Sequence, residues 1–252
     1  MTERALSFGS VAAAYERFRP DYPTEVVDRV VAFAGRPVRR ALEIGAGTGK
    51  ATRVFADRGI AVTATDPDPA MLDELRRHVP ATVTPVQAAF EDLRIALPFD
   101  LVFAAASLHW TVPAQRWSRV AALLRPGGTF ASFGGQAHLA DPQVEEAVRN
   151  VRSAYLADDG VPSPDGTPED SDLQWPGTEL QHSTLFTDVR QSTLERRLEL
   201  SAQDYIGHLA TISAYLQLPA AVRERVLRDI GDALPARVTV SADVTLHLAR
   251  LA

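Results

Sequence analysis

Between residues 39 and 135, short apolar runs alternate with stretches that carry apolar residues at helical spacing. This order is typical of a parallel sheet covered by helices, because each parallel strand needs a crossover to reach the next. The apolar runs predict strands over residues 40–44, 61–65, 82–87, 100–105 and 129–133. Helices are predicted over residues 49–58, 69–79, 113–124 and 141–157. The sequence therefore predicts a doubly wound α/β fold.

The C-terminal part carries two stretches of alternating apolar and polar residues, over 189–200 and 238–248. Such alternation is typical of strands with one buried face. We expect the two stretches to pair antiparallel at one edge of the sheet. Helices are predicted between them, over 202–211 and 220–234, and residues 158–178 are too rich in Pro, Gly and Asp for a regular element.

The composition excludes several kinds of chemistry. The chain of 252 residues has no cysteine, which rules out disulfides, thiolate nucleophiles and cysteine-bound metals. The six histidines show no close pairing of the kind that binds zinc, so no metal is expected. Acidic residues number 32 against 26 basic ones, and the net charge of −6 gives no attraction for nucleic acid.

The sequence gives no sign of membrane insertion. No window of 18 uninterrupted apolar residues occurs, and no apolar run follows the charged N-terminus. We therefore expect a cytoplasmic protein that has no membrane partner.

The most informative segment is residues 42–49, where a strand runs into three alternating glycines. Such a turn exposes backbone amides at a helix N-terminus, although glycines also serve tight turns for steric reasons alone. Asp66 ends the next strand, 19 residues after Gly47, and at this separation a doubly wound fold brings an acid to ribose hydroxyls. The alternative is that Asp66 caps the following helix, for which Asp68 is better placed.

Two other nucleotide-binding patterns do not fit. A dinucleotide fingerprint that starts at Gly45 needs glycine at position 50, where Lys50 stands. A P-loop that ends at Gly49 and Lys50 needs glycine at 44 and Ser or Thr at 51, where Ile44 and Ala51 stand. The glycine turn therefore belongs to neither class.

The turn does fit the pattern Glu-x-Gly-x-Gly-x-Gly, and here the chain resembles the class I S-adenosylmethionine-dependent methyltransferases. It resembles in particular the small-molecule branch that includes trans-aconitate and ubiquinone-pathway methyltransferases. Further matching segments are FEDL at 90–93, FDLVFAAASLHW at 99–110, LLRPGGTFAS at 123–132, AAAYERFRPDYP at 12–23 and TISAYLQLP at 211–219. The resemblance implies S-adenosylmethionine as cofactor.

The resemblance also implies a Rossmann-like mixed sheet of seven strands, with five parallel strands, an antiparallel edge pair and a helical cap. We expect one methyltransferase domain over residues 1–252. Its core is expected over about 23–135, 188–200 and 237–251, and its cap over about 1–22, 136–185 and 201–236.

The same resemblance implies which residues hold the cofactor. Gly45, Gly47 and Gly49 wrap the methionine and ribose portions, and Asp66 holds the ribose hydroxyls. Met71 lies beside the adenine and Phe90 with Glu91 closes over it, although Met71 and Phe90 also suit simple core packing. The other residues assigned to the cofactor are Glu43, Pro67, Ala106, Tyr15 and Arg19.

Tyr15 and Arg19 are candidates for the carboxylate of the methionine part. Their spacing of four places both on one face of a helix. The alternative for this pair is a packed tyrosine and a surface arginine.

Residues 106–110 follow the fourth strand, where methyl donor and acceptor would meet. His109 is the candidate general base toward a hydroxyl or amine, because imidazole exchanges protons near neutral pH, and the alternative is a structural histidine. Trp110 suits either a wall of the substrate cavity or packing between the sheet and the helix that carries Trp117. The aromatic residues expected to contact the acceptor are Tyr22, Trp110, Trp175, Tyr205 and Tyr215.

The predicted function is methyl transfer to a small organic molecule, at oxygen or nitrogen. Such an in-line displacement is accelerated by holding donor and acceptor aligned and dry, so few catalytic residues are needed. The alternative is a chain that binds S-adenosylmethionine without transferring its methyl group, as a regulatory or partner subunit.

Overall fold

The computed structural model describes residues 8–95, 98–156, 163–168 and 170–252. Its strands are β1 Arg40–Ile44, β2 Ala61–Asp66, β3 Thr84–Gln87, β4 Phe99–Ala105, β5 Leu124–Gly134, β6 His138–Leu139, β7 Phe186–Leu194, β8 Arg197–Ser201, β9 Arg237–Ser241 and β10 Val244–Leu251. Seven strands form one sheet in the order β3-β2-β1-β4-β5-β10-β7, and a separate sheet has the order β6-β9-β8. The predicted mixed sheet of seven strands is therefore confirmed.

Helices connect these strands in the predicted alternation. They are α1 Ala12–Phe18, α2 Thr24–Ala34, α3 Lys50–Ala56, α4 Pro69–His78, α5 Arg116–Leu123, α6 Pro142–Ser153, α7 Gly177–His182, α8 Ala202–Leu209, α9 Ser213–Leu216 and α10 Ala220–Ala233. The side chains of Asp68 and Asp141 accept hydrogen bonds from backbone amides at the starts of α4 and α6. A proline follows each cap, which is the arrangement that these sequences predict.

The parallel half of the sheet follows the sequence prediction closely. β1 pairs in parallel with β2 and β4, β2 pairs with β3, and β4 pairs with β5. The first four strands agree with their predicted bounds to within about two residues, the usual uncertainty of strand ends. β5 begins earlier than predicted, because Leu124 already pairs with Phe99 before Gly127 turns the chain at φ +65°.

The C-terminal half differs from the prediction. The stretch over 189–200 is two strands, β7 and β8, and the stretch over 238–248 is β9 and β10. β10 pairs antiparallel with β7 at the edge, as expected, whereas β9 pairs with β8 in the three-stranded sheet. Apolar and polar residues keep alternating between β7 and β8 and between β9 and β10, because each sheet buries one face of its strands there. The sequence pattern therefore does not mark where the chain passes from one sheet to the other.

Both faces of the large sheet are buried. Leu101 and Phe103 of β4 belong to the core cluster under α2, α3 and α4. Val102 and Ala104 point to the opposite cluster under α5 and α7. This two-sided burial explains why β4 is a continuous apolar run.

A third cluster fills the space between the small sheet and helices α6, α8 and α10. Of the three strands of the small sheet, β6 falls in a stretch expected to belong to the cap, whereas β8 and β9 fall almost wholly in stretches expected to belong to the core. Part of the predicted loop over 158–178 lies outside the described residues, and α7 begins within its last two positions. In the described part of the chain, no helix is long and apolar enough to span a bilayer.

Candidate functional site

A cavity lies at the carboxyl ends of β1 and β4, where ligands bind in doubly wound sheets. Its glycine wall consists of Glu43, residues 45–48, Lys50, Ala51, Ala105 and Ala106. Its N-terminal wall consists of Tyr15 and residues 19–22. Its junction wall consists of residues 135–137, Arg196, His208 and residues 242–244.

The three glycines of the turn all have a left-handed backbone, with φ of +67° at Gly45, +56° at Gly47 and +88° at Gly49. A Cβ atom on Gly45 would lie 2.6 Å from the Cβ of Ser107, and one on Gly49 would lie 2.9 Å from Cγ of Leu75. The turn therefore needs glycine both for its conformation and for close packing. Gly45 and Gly47 line the cavity, whereas Gly49 packs against α4.

Glu43 in the glycine wall has one carboxylate oxygen in use. Its Oε2 accepts a 2.5 Å hydrogen bond from Thr52 Oγ1, while its buried Oε1 has no partner among the described residues. Burial raises the pKa of this carboxyl to about 8, which the Thr52 bond opposes and the Asp66 charge reinforces. The hydroxyl of Thr48, in the same wall, is also buried without a described partner. Buried polar atoms need partners, so this wall suits a ligand with an ammonium group.

Asp66 holds the glycine turn from the end of the neighbouring strand. Its Oδ2 accepts a 2.9 Å hydrogen bond from the Gly47 amide, and its Oδ1 accepts one of 2.9 Å from the Asp68 amide. Burial raises the pKa of this carboxyl to about 6, although both amide bonds oppose the rise. Asp68, and not Asp66, caps α4 through the amide of Ala70. A carboxylate has about four acceptor positions, so about two on Asp66 are not used by its two amide bonds.

The residues assigned to the adenine end lie away from the cavity lining. A Cβ atom on Gly47 would lie 3.4 Å from the terminal methyl of Met71, so Met71 packs against the glycine turn. Phe90 is buried in the core, and Glu91 accepts a 2.7 Å hydrogen bond from the Val112 amide. The predicted cofactor residues absent from the lining in the described chain are Gly49, Asp66, Pro67, Met71, Phe90 and Glu91.

The N-terminal wall brings three predicted residues together. Arg19 donates hydrogen bonds to Thr211, at 2.8 Å to Oγ1 and 3.0 Å to the carbonyl, and its guanidinium lies 5.2 Å from the centre of the Tyr15 ring. Tyr22 packs edge-on against Phe133, with ring centroids 5.0 Å apart, and burial raises the pKa of its phenol. Tyr22 is therefore a neutral hydrogen-bond donor at physiological pH.

The only lysine of the chain joins the N-terminal wall to the glycine wall. Lys50 Nζ lies 3.0 Å from Asp21 Oδ1 and 3.7 Å from Glu16 Oε1. Arg53 binds the same two carboxylates, at 2.5 Å and 2.9 Å. Although burial raises the pKa of Asp21, these two cations bring it below its usual value. No sequence pattern indicated this cluster, because the acids and the bases lie on separate segments.

His109 and Trp110 lie in a 3-10 turn directly after β4, as their position in the sequence predicts. Their ring centroids are 4.6 Å apart, and Trp110 packs against Phe8 with centroids 6.0 Å apart. Neither is among the described residues that line the cavity, whereas Ala106 is. The catalytic role of His109 stays a prediction.

The other aromatic residues assigned to the acceptor are spread over the molecule. Tyr205 and Tyr215 are buried in the third core cluster, between the small sheet and its helices. Trp175 packs near the guanidinium of Arg116, which lies 5.2 Å from its ring centre. Among these predicted substrate residues, Tyr22 is the one that lines the cavity in the described chain.

The junction wall contains polar residues that no sequence pattern indicated. His208 is 4% exposed, and burial together with the charge of Arg19 lowers its pKa to about 3, so its imidazole is neutral. Arg196 and Asp243 lie in the two short links at which the chain passes between the sheets. Across the described residues, no group of three His, Asp or Glu side chains is arranged to hold a metal ion.

Comparison with known proteins agrees with this geometry. A model of the methyltransferase domain family matches residues 41–128, which contain the glycine turn, Asp66 and β4. An uncharacterised methyltransferase of Mycobacterium tuberculosis is 34% identical over 226 residues, which cover 89% of this chain and 84% of the relative. A trans-aconitate 2-methyltransferase of an Acidovorax species is 30% identical over 122 residues, or 47% of each chain.

A solved structure shares the same fold. It is that of a protein from Anaeromyxobacter dehalogenans assigned as a type II methyltransferase, with a TM-score of 0.66 and 26% identity. The match covers 92% of this chain and 98% of that one. Both the Mycobacterium tuberculosis relative and the solved structure are similar over most of the chain. The similarity agrees with the glycine turn and with the buried Oε1 of Glu43, which has no partner among the described residues. The chain belongs to the class I S-adenosylmethionine-dependent methyltransferases, and S-adenosylmethionine is its cofactor.

Proposed function

We propose that this enzyme transfers the methyl group of S-adenosylmethionine to a small organic molecule, at oxygen or nitrogen. The observation that carries the proposal is the shape of the site. The N-terminal wall and the junction wall both stand over the ends of β1 and β4, so an acceptor has to enter a cavity lined by three parts of the chain. Sites of this shape favour small molecules.

The residues of the cavity fit the methionine end of the cofactor. The free Oε1 of Glu43 would accept a hydrogen bond from the amino group, which would keep this carboxylate ionised. Arg19, beside Tyr15, would bind the carboxylate. Ala106, with φ +51°, lines the same cavity just after β4.

The remaining contacts would hold the nucleoside. Asp66 would accept hydrogen bonds from the ribose hydroxyls with the positions that its two amide bonds leave free. Pro67, Met71, Phe90 and Glu91 would surround the adenine on the outer side of the glycine turn. This placement accounts for the absence of these residues from the cavity lining.

The bound cofactor supplies an electrophilic methyl group on a sulfonium. The residues of this chain would hold the acceptor in line with that methyl group and would exclude water from the site. Alignment and exclusion of water together account for much of the acceleration in such displacements. His109 lies in the turn that follows β4 and is at most a helper. The trans-aconitate methyltransferase among the relatives is consistent with a small-molecule acceptor.

Calorimetry with S-adenosylhomocysteine, followed by turnover with a metabolite extract, tests the proposal. The wild type should bind, and extract fractions below about 1 kDa should support formation of S-adenosylhomocysteine. Asp66→Ala should weaken binding by about tenfold or more, because hydrogen bonds to a charged group contribute roughly 1.5 to 3 kcal/mol each.

Two further variants make the result interpretable. Asp66→Asn keeps an acceptor for the Gly47 amide but loses the charge, so it should fold and still bind weakly. Asp28→Ala removes a surface carboxylate that pairs only with Arg58 among the described residues, and it should bind normally. Tight binding without turnover on any low-mass fraction would contradict the proposed reaction.

A further inference from the structure

Arg196 lies in the junction wall on the link between β7 and β8. Its backbone is anchored on both sides: its amide donates a 2.8 Å hydrogen bond to Asp243 Oδ1, and its carbonyl accepts one of 2.8 Å from the Ala242 amide. Its Nη1 donates to the Asp21 carbonyl at 2.6 Å. These bonds hold the guanidinium at the cavity, next to the segment that carries Tyr22.

The three cations that line the cavity differ in their partners. Lys50 is paired with carboxylates of the N-terminal segment. Arg19 binds only the neutral oxygens of Thr211, and Arg196 binds only the neutral carbonyl of Asp21, among the partners that the structure describes. No described carboxylate oxygen lies within 4.0 Å of either guanidinium. Two uncompensated guanidinium groups therefore line one small site.

The cofactor accounts for one of them. S-adenosylmethionine has a single carboxylate, and the proposed function assigns it to Arg19. The glycine wall supplies acceptors for the amino group, so nothing in the cofactor neutralises Arg196. A guanidinium held at a site without an anion is a binding group for one, and its planar fork matches a carboxylate.

We propose that Arg196 binds a carboxylate of the methyl acceptor, so that the substrate class is small carboxylic acids. This inference rests on the proposed function. Tyr22 directly follows Asp21, whose carbonyl binds Arg196, and it also lines the cavity. Its phenol remains protonated because burial raises the pKa, so it supplies a second donor to the anion. Arg196 is thus a substrate-binding residue that determines specificity.

The surroundings favour a monoanionic group over a phosphate. Asp243 also lines the cavity and binds the backbone of Arg196, so one negative charge already lies beside the proposed site, while the charge of Glu43 is neutralised by the amino group of the cofactor. A single unpaired guanidinium balances one further negative charge. A phosphate dianion bound to this one guanidinium would add like-charge repulsion that no other free cation in the described lining offsets.

The test measures binding of acids to the enzyme loaded with S-adenosylhomocysteine. The probes are unbranched mono- and dicarboxylic acids of two to eight carbons, each matched with its amide, and inorganic phosphate. The wild type should bind at least one acid about tenfold more tightly than its amide. Arg196→Gln should remove that preference, Arg196→Lys should restore part of it, and affinity for S-adenosylhomocysteine should stay within about twofold of wild type.

Arg197→Gln is the matched control, because Arg197 is an exposed neighbour outside the described lining, and it should behave as wild type. The proposal is overturned if the loaded wild type binds no acid in the series, prefers amides or phosphate, or keeps its preference in Arg196→Gln. If the wild type does not bind S-adenosylhomocysteine, the proposed function is wrong. If it binds S-adenosylhomocysteine normally but shows no preference for acids, only the proposed role of Arg196 is wrong.

Discussion

The glycine wall and the junction wall face the same cavity but are built in different ways. Most of the glycine wall comes from residues 43–51, in one turn between β1 and α3. The junction wall collects residues 135–137, Arg196, His208 and residues 242–244 from four separate segments. One wall is a local structure, and the other exists only after the two sheets have formed.

This difference has an energetic consequence. The glycine wall depends on its backbone conformation, and at Gly45 and Gly49 the turn leaves no room for a side chain, because an added Cβ would meet Ser107 or Leu75. The junction wall acts through side chains on short links, which can change with little effect on the sheets. Substitutions in the first wall should therefore cost stability and cofactor affinity, whereas substitutions in the second should change the choice of acceptor.

The largest effect is expected for Gly45→Ala. Alanine at a left-handed φ costs roughly 1 to 2 kcal/mol, and overpacking costs about 1 to 3 kcal/mol more, because the new Cβ would meet Ser107. Urea denaturation should therefore show a loss of about 2 to 5 kcal/mol in the free energy of unfolding, on these same increments.

Gly59→Ala is the matched control for that loss. Gly59 has φ +77°, but nothing lies within 4 Å of its added Cβ, so only the conformational cost of about 1 to 2 kcal/mol remains. Equal losses in the two variants would show that close packing at the glycine wall has no special role.

The second effect concerns Glu43, whose carboxyl has a pKa of about 8 in the free protein. At pH 7 it is mostly protonated, and the amino group of the ligand should ionise it. Binding of S-adenosylhomocysteine should then release about one proton, measured by calorimetry in two buffers of different ionisation enthalpy. Glu43→Gln should abolish the release and weaken binding about tenfold, whereas the exposed Glu25→Gln should leave both unchanged.

The same carboxyl gives a pH dependence of stability whose sign is opposite to that of a salt-bridged acid. The unfolded carboxyl ionises near 4.5, while the folded one keeps its proton up to about pH 8. The unfolded state therefore binds fewer protons across this window, and the free energy of unfolding falls as the pH rises. Glu43→Gln should flatten that decline, and an unchanged pH profile would contradict the raised pKa.

The smallest effect is expected for His109→Ala. A general base would contribute roughly 10² to 10⁴ to kcat. The ring packs beside Trp110 and is not among the described residues of the cavity lining, so we expect kcat and KM to stay within about twofold of wild type. A hundredfold fall in kcat with loss of pH dependence near neutrality would instead make His109 the base.

The two walls also differ in how far sequence reasoning could reach. Gly45 and Gly47 of the glycine wall stand at fixed spacing from Asp66, because a strand, a turn, a helix and the next strand follow one another in the chain. Local geometry therefore determines their relation. Arg196 has no such signal, because its partners Asp21 and Asp243 are distant in sequence.

The aromatic residues show the same limit. Tyr205 and Tyr215 fit an acceptor cavity by composition, yet both are buried between helices and the small sheet. An aromatic side chain suits a core and a pocket equally well, so only the packing decides between them.

By itself, the sequence determined the order of the parallel strands and helices along the chain, the cap at Asp68, and the glycine turn after the first strand. These features depend on propensity, periodicity and glycine at left-handed positions, which act over short stretches of chain. Only the tertiary structure decided that each C-terminal stretch divides between two sheets. Both sheets have the same two-residue periodicity, so the choice depends on the pairing partner, and that choice places Arg196 at the cavity.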